Sequence, residues 1–269
     1  MHSLSRISYG FAGALLTSAI SIGAASAGGS VAGGSVKDDF GPAPGTKAWV
    51  LFSGFDMVTD ASYSFQGLVV ALNRDIGRDG FVLRLYGSHV DYEYDTPAVP
   101  NGVVDGDGWQ GDAMIGYKVT RGNIWAAAFI GVDYQDHDLT PDDLANPVRG
   151  SEVGFKIAAD IASLRYGSPL YFSLGGNYST AFDSYWARAR VGLNQGHMTF
   201  GPEAITMGSD SFDAQRLGAF VMFDVSLVPS MPIEVTLSGG YQFLDDGNGG
   251  SFGGGGEGVY GDIVFTTVF

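Results

Sequence analysis

Apolar and polar residues alternate along most of the chain with a period of two. Between Val153 and Ile161 every second residue is apolar, and the residues between them include Lys156 and Asp160. The same pattern recurs from Tyr185 to Asn194 and from Ile233 to Phe243. A period of two places successive side chains on opposite faces of a β-strand. Each stretch is therefore predicted to be a strand with one apolar and one polar face.

About twelve such stretches follow one another after residue 45, most of them near the ~9 to 11 residues that a tilted membrane-spanning strand requires. Ten strands is the nearest alternative, because the stretch around Pro202 is the weakest strand signal. The predicted strands are 46–59, 63–73, 80–93, 108–120, 123–136, 149–162, 170–180, 184–194, 198–207, 213–227, 232–244 and 258–269.

The apolar faces of these strands indicate a membrane and not a soluble core. No apolar run after Ala27 is long enough for a membrane helix, and a bilayer admits only helices and closed barrels. The strands of a soluble β-sandwich would also alternate between apolar and polar residues. The lengths of the connections therefore distinguish the sandwich from the barrel. Tight connections alternate with long acidic ones at Tyr94–Asp107, Gln135–Val148 and Asp245–Glu257. This alternation predicts an antiparallel transmembrane β-barrel with an even strand number and both termini in the periplasm.

The last predicted strand, Gly258 to Phe269, carries a face of Ile263, Phe265, Thr267 and Phe269. It resembles the closing strand of bacterial outer-membrane barrels, whose terminal aromatic addresses the chain for assembly. Closure requires this strand to pair both with the preceding strand and with the first.

The start of the chain predicts export. Arg6 precedes an uncharged, largely apolar run, and Ala25-Ser26-Ala27 forms an Ala-x-Ala cleavage site. We expect a signal peptide at 1–27, a flexible periplasmic lead-in rich in Gly, Ser and Pro at 28–45, and an outer-membrane barrel at 46–269.

The charge of the predicted mature chain narrows its partners. The signal removes one of the 14 basic residues and none of the 29 acidic ones, which leaves a net charge of −16. Nucleic acid is therefore not expected to bind. The chain has no cysteine, which argues against a small disulfide-stabilised scaffold.

Catalytic and metal-binding signals are weak. The histidines other than His2 of the signal are His89, His137 and His197, and none belongs to an Asn-His-Ser arrangement like that of outer-membrane phospholipases. The acids around His137 match no calcium-loop spacing and are interpreted as a solvated loop. The sequence therefore predicts a protein that is not an enzyme, with no cofactor and no metal.

Charged and aromatic residues on the polar strand faces are the candidate site. They point into the lumen by parity, and they could bind a carbohydrate, because aromatic faces stack on sugar rings while Arg and Glu bind hydroxyls. The alternative is that these charges pair across strands and fill the lumen. The candidates are Arg84, Tyr86, Trp186, Arg188, Arg190, Glu203 and Arg216.

Short motifs from Leu51 to Phe269 resemble one family, the alphaproteobacterial cellulose biosynthesis protein BcsS. The motifs are Ser53-Gly54-Phe55-Asp56, Gly80-Phe81-Val82-Leu83-Arg84, Tyr92-Glu93-Tyr94, Gly116-Tyr117, the run Gly131 to Asp138, Pro141-Asp142-Asp143 with Asn146, Gly150, Gly154-Phe155-Lys156, Gly201-Pro202-Glu203 and the run Arg216 to Phe220. Each motif is weak alone, and their order and spacing carry the resemblance.

The resemblance implies an outer-membrane accessory of cellulose synthase that assists export or surface retention of a β-glucan. It implies contacts with outer-membrane lipid, with the β-glucan chain and with components of the cellulose synthase complex, and it transfers no catalytic residue. Two other functions stay open at this point. One is a small-solute or acidic-oligosaccharide porin that uses the arginines as an anion filter, and the other is a structural barrel or adhesin that presents the acidic loops.

Overall fold

A computed structural model describes residues 47–165, 168–228, 231–244 and 256–269. The predicted signal peptide, the lead-in and most of the connection Asp245–Glu257 lie outside these residues. The described chain is nearly all β-strand. Its strands are β1 Trp49–Val58, β2 Ala61–Ala71, β3 Gly80–Asp95, β4 Val103–Arg121, β5 Ile124–Thr140, β6 Gly150–Ser163, β7 Leu170–Ser179, β8 Tyr185–Gln195, β9 Met198–Ser209, β10 Phe212–Val228, β11 Met231–Leu244 and β12 Gly258–Val268.

The twelve strands form one closed antiparallel barrel in which each strand pairs with its neighbours in sequence. β12 pairs with β11, for example Leu237 with Ile263, and with β1, where Phe55 is the partner of Ile263. The predicted double pairing of the last strand is thus confirmed, as are the twelve strands and the antiparallel barrel. The stretch around Pro202 is strand β9, paired on both sides, so the ten-strand alternative is wrong.

The outer face of the barrel is apolar and is bordered by aromatic side chains at both ends. Exposed aliphatic residues such as Leu85, Ile130 and Leu217 cover its middle. Exposed aromatic residues lie toward the end that carries the termini (Trp49, Phe81, Tyr117, Phe269) and toward the far end (Trp109, Tyr134, Tyr178, Tyr241, Phe243). An apolar band between two aromatic girdles is the surface that an outer-membrane barrel presents to lipid. Among the described residues no helix is long and apolar enough to cross a membrane.

The strands extend into two of the predicted acidic loops, Tyr94–Asp107 and Gln135–Val148, and take up about half of each. β3 continues to Asp95 and β4 begins at Val103, so the connection is short, and β5 runs on to Thr140 before the connection 141–149. The period of two explains the extension, because the inward residues Tyr94, Val104 and Leu139 are all buried. Asp105, Asp107, Asp136 and Asp138 therefore lie on the outer face of protruding strands, whereas Asp142 and Asp143 remain in the connection 141–149.

The inner wall combines large side chains with glycines. A Cβ atom added to Gly67 would lie 2.1 Å from Cζ of Phe52, and one added to Gly106 would lie 2.3 Å from Cζ of Tyr92. Aromatic rings therefore lie flat against the wall where the neighbouring strand has no side chain. This packing lets the lumen of a twelve-stranded barrel fill with its own side chains.

Candidate functional site

All seven predicted lumen residues lie on the inner wall and are buried. Their exposed fractions range from 1% for Arg216 to 7% for Tyr86. Arg84 and Tyr86 lie on β3, the other five lie on β8, β9 and β10, and the structure therefore places them in two groups.

The first group is centred on Glu203 and is named the Glu203 cluster. Arg190 donates from Nε to Oε2 of Glu203 at 2.5 Å, and Tyr260 donates its hydroxyl to Oε1 at 3.0 Å. Arg190 also reaches Oγ of Ser238 on β11 at 2.8 Å. Because these groups belong to β8, β9, β11 and β12, the cluster joins strands that are not neighbours.

Arg216 extends this cluster toward the first strand. Its Nη1 lies 2.7 Å from Oδ2 of Asp56, and its Nε donates to Oε1 of Gln242 at 2.8 Å. Nearby, Nη1 of Arg188 lies 3.7 Å from Oδ2 of Asp262. Each arginine predicted on this side of the wall thus has a carboxylate within ion-pair distance. Paired charges of this kind satisfy one another inside a low-dielectric interior.

The second group was only partly predicted and is named the Lys156 cluster. Nζ of Lys156 lies 2.8 Å from Oδ2 of Asp112 and 3.7 Å from Oδ2 of Asp133. Arg84 approaches the same Asp112 oxygen at 3.6 Å, and the Lys156 ammonium lies 5.8 Å from the centre of the Tyr86 ring. The alternating pattern marks Lys156 as inward-facing, but its partners on β4 and β5 follow only from the register of the strands.

The aromatic rings near these clusters are covered by guanidinium groups. Arg188 lies over Trp186 with 5.1 Å between the guanidinium carbon and the ring centre, and Arg84 lies over Phe129 at the same distance. Arg190 covers Phe220 at 4.9 Å. A cation–π contact therefore occupies one face of each of these rings.

A further buried arginine, Arg165, comes from the connection between β6 and β7 and enters the end of the barrel that carries the termini. Its Nη1 lies 2.7 Å from Oε2 of Glu234 and 2.9 Å from Oδ1 of Asp224. Its Nε donates to Oγ1 of Thr199 at 2.9 Å, and its Nη2 donates to the carbonyl oxygen of His197 at 3.0 Å. We name this set of contacts the Arg165 latch. The sequence showed no sign of it, because Arg165 stands outside every strand pattern.

Connecting segments also pack against the inner wall at the far end. Tyr94 donates its hydroxyl to Oδ2 of Asp143 at 3.0 Å and accepts a hydrogen bond from Nδ2 of Asn146 at 2.9 Å, which holds the connection 141–149 against the wall. Phe182, in the 3-10 turn Ala181–Asp183, lies edge-on to the buried His137 ring, with 5.6 Å between the ring centres. Segments of the connections thus pack against the inner wall at both ends of the barrel.

The rim of the same connection carries an exposed ion pair. Arg149 donates from Nε and Nη2 to the carboxylate of Asp142. This hydrogen-bonded guanidinium holds the pKa of Asp142 below its usual value.

One group on the outer wall has the composition of a metal site. The ligand atoms of His89, Asp91 and Asp107 lie within 4.8 Å of one another, and the two acids are partners across β3 and β4. Nε2 of His89 is already 2.7 Å from Oδ2 of Asp107. A hard divalent cation could bind these oxygens if it displaced that contact.

The chain resembles one protein family in sequence and an outer-membrane channel in fold. A family model described as cellulose biosynthesis protein BcsS matches residues 50–269. None of the curated proteins matches the chain. Among solved structures, the COG4313 outer membrane channel from Pseudomonas putida F1 has 12% identity and a TM-score of 0.53, with 88% of this chain and 100% of that chain covered. The KdgM porin has 8% identity and a TM-score of 0.41, with 82% and 99% covered. At these identities the likeness to the channel shows the fold alone, which is that of outer-membrane barrels.

Proposed function

Since the chain belongs to the cellulose biosynthesis protein BcsS family, we propose that it is an outer-membrane accessory of cellulose synthesis that assists export or surface retention of a β-glucan. It acts without catalysis, as a binding and scaffolding barrel. The family match over residues 50–269 is the observation that carries this proposal. The apolar outer band with its aromatic girdles supports contact with outer-membrane lipid.

The filled lumen supports an accessory role over that of a permanently open pore. The Glu203 cluster and the Lys156 cluster join non-adjacent strands, and the Arg165 latch covers one mouth. A glucan chain cannot pass such a lumen unless these contacts separate. In this proposal the protein holds the polysaccharide or a cellulose synthase component at the membrane, and the seven lumen candidates contact glucan only in an opened state.

The alternative is a porin for small solutes or acidic oligosaccharides. An anion filter needs a surplus of positive charge along the lumen. Here Arg190 pairs with Glu203, Arg216 with Asp56, and Arg188 approaches Asp262. Because positive and negative charges are balanced, the wall is unsuited to selecting acidic oligosaccharides. A porin with this wall would pass small neutral solutes.

A deletion strain tests the role in the pathway. We expect loss of this gene to reduce the glucan that is exported or kept at the surface, measured as glucose released by acid hydrolysis of washed cells and of the medium. Restoring the full chain should restore the yield. A strain without the protein that exports and retains the same amount of glucan would refute the proposal.

A binding measurement on the purified barrel tests the candidate site separately. In the Arg165→Ala background, which lacks the contacts of the latch, we expect the added double substitution Trp186→Ala with Arg188→Ala to weaken glucan binding, since both side chains lie on the inner wall. The matched control is Arg149→Ala in the exposed connection 141–149. If the double variant binds glucan as the parent does, these residues are not the site.

A further inference from the structure

His89, Asp91 and Asp107 form a group on the outer face of β3 and β4, at the far end of the barrel. The two acids are partners across the strands, and His89 is the partner of the exposed Trp109 in the aromatic girdle. The acids lie one outward-facing position beyond Trp109, so they stand outside the apolar band. Each acid side chain is 49% exposed, and the imidazole is 26% exposed. Ions in solution therefore reach the group without any opening of the barrel.

The three side chains are close enough to share one ion. One ligand atom from each lies within 4.8 Å of the others, and among the described residues no second group of histidines and acids has this spacing. Nε2 of His89 is 2.7 Å from Oδ2 of Asp107, and its Nδ1 is 3.6 Å from Oδ2 of Asp91. Ligand atoms on a tetrahedral zinc ion are about 3.3 Å apart, given bond lengths of about 2.0–2.1 Å. Rotation of these partly exposed side chains can produce that spacing while the strands keep their places.

Negative charge on this face is poorly balanced by neighbouring side chains. Asp107 has an acid opposite it on both sides, Asp91 on β3 and Asp138 on β5. Like charges directly opposite each other destabilise a sheet. Within the described part of the chain, His89 is the one basic side chain in an ion pair with Asp91 or Asp107, and it balances their charge only when it is protonated. A bound divalent cation would balance both carboxylates.

The donor atoms select the class of ion. Two carboxylates alone would suit a hard cation such as Ca²⁺ or Mg²⁺, which binds through oxygen. The imidazole adds a nitrogen donor, and a mixture of nitrogen and oxygen suits Zn²⁺ and related transition metals. The Trp109 ring packs against His89, with 4.4 Å between the ring centres. The hydroxyl of Ser62 on β2 donates to Oδ2 of Asp91 at 3.5 Å. Neighbours of this kind hold metal ligands in position.

We propose that His89, Asp91 and Asp107 form a binding site for a divalent transition-metal ion, with Zn²⁺ as its representative. The ion joins the protruding ends of β3 and β4 through three protein ligands and leaves its fourth position to water. It also removes the repulsion between the two opposed carboxylates. The sequence predicted no metal, because Asp107 joins the other two ligands only through the pairing of β3 with β4. The site faces away from the lumen and is independent of the proposed role in cellulose synthesis.

Calorimetric titration of the purified full-length protein with Zn²⁺ tests the site. The protein carries no histidine tag, and a chelator first removes any bound metal. The ligand variants are His89→Ala, Asp91→Asn and Asp107→Asn, and the two asparagine variants keep the size of the side chain while they remove its charge. Asp138→Asn is the matched control, since it removes an equal charge from the same face beside Asp107. Gel mobility checks that each variant is folded.

A second control addresses the histidine. His197→Ala changes an exposed histidine in the turn between β8 and β9, at the opposite end of the barrel. Titration with Ca²⁺ and Mg²⁺ then shows whether the imidazole takes part in binding. This comparison uses the parent protein, so it decides even where a variant fails to fold.

We expect the parent to bind one Zn²⁺ ion per chain and to bind Ca²⁺ and Mg²⁺ more weakly. Loss of an outer neighbour of a ligand already costs about 10–100-fold in metal affinity. Each ligand variant should therefore weaken Zn²⁺ binding at least about tenfold, whereas Asp138→Asn should weaken it far less and His197→Ala should leave it unchanged. Co²⁺ in place of Zn²⁺ should give the visible absorption of a tetrahedral site, and His89→Ala should abolish it.

Three results overturn the proposal. The first is a parent protein that does not bind Zn²⁺, or that binds Ca²⁺ equally well. The second is a folded His89→Ala variant that keeps the parental affinity. The third is an Asp138→Asn variant that binds as weakly as Asp107→Asn, since the ion would then be attracted by the charge of the whole face and not held by three ligands. The deletion-strain test of the role in cellulose synthesis is unaffected by any of them.

Discussion

Glu203 and Arg190 show how single residues stabilise the lumen. Glu203 is 3% exposed and accepts hydrogen bonds from Arg190 and Tyr260. Glu203→Ala leaves the Arg190 guanidinium buried without its main partner. We expect the free energy of unfolding to fall by about 3–5 kcal/mol, the cost of leaving one partner of a buried ion pair alone. Urea unfolding in lipid vesicles measures it.

The exposed pair of Asp142 and Arg149 is the control for this prediction. Asp142→Ala breaks an ion pair of the same type in a solvated connection, where solvent screens the charges. We expect no measurable change in stability. Equal losses for Glu203→Ala and Asp142→Ala would show that burial does not set the energy of the lumen pairs.

Gly67 gives a second test at the residue scale. An added Cβ would lie 2.1 Å from Cζ of Phe52, so Gly67→Ala forces the ring or the strand to move. We expect a loss of about 1–3 kcal/mol in the free energy of unfolding, the usual cost of overpacking. Gly87→Ala is the control, because the nearest atom to its Cβ is 3.8 Å away. If Gly67→Ala leaves the free energy of unfolding unchanged, the inner wall is packed less tightly than this distance implies.

At the scale of elements, closure of the barrel depends on the pairing of β1 with β12. Phe55 and Ile263 are partners across these strands. In this cysteine-free chain, Phe55→Cys with Ile263→Cys should form a disulfide in the folded barrel and change its mobility in non-reducing gels. Partners across antiparallel strands have Cβ atoms about 4.5–5.5 Å apart.

A pair offset along β12 serves as the control for the cross-link. Val259 lies four residues from Ile263 on the same strand, so Phe55→Cys with Val259→Cys should not cross-link efficiently. Similar yields from both pairs would contradict the register of the closing strands.

The elements were largely predictable because the period of two is a direct consequence of strand geometry. The predicted strand that became β6 was placed at 149–162 and lies at Gly150–Ser163. The main error was at the far end, where acids such as Asp105 and Asp107 suggested a loop. Polarity misled there because the protruding part of a strand has water on its outer face, while Tyr92 and Tyr94 still pack inward.

Of the candidate site, only the orientation of the side chains could be predicted from the sequence, and their interaction partners could not. Parity showed that Arg188, Arg190 and Glu203 point into the lumen, and the structure places them there. Partners such as Asp262 for Arg188 lie on strands far apart in sequence, so they depend on how the sheet closes. Arg165 was missed because a residue in a connection has no periodic pattern to mark it.

At the scale of the whole molecule, the inner wall of the barrel is filled by its own side chains. The two charge clusters join non-adjacent strands, the Arg165 latch packs into one end of the barrel, and the connection 141–149 with Phe182 packs into the other. A barrel of this kind can bind and scaffold at the outer membrane without leaking solutes. The chain belongs to the cellulose biosynthesis protein BcsS family, and binding and scaffolding is the role that we propose for it there.

Single-channel recording of the purified full-length protein in planar bilayers tests the closed lumen most directly. We expect a silent barrel, without steady current at moderate voltage, from protein whose gel mobility is that of the folded form. A steady open current with ion selectivity in the unmodified protein would contradict the closed lumen and favour the porin alternative.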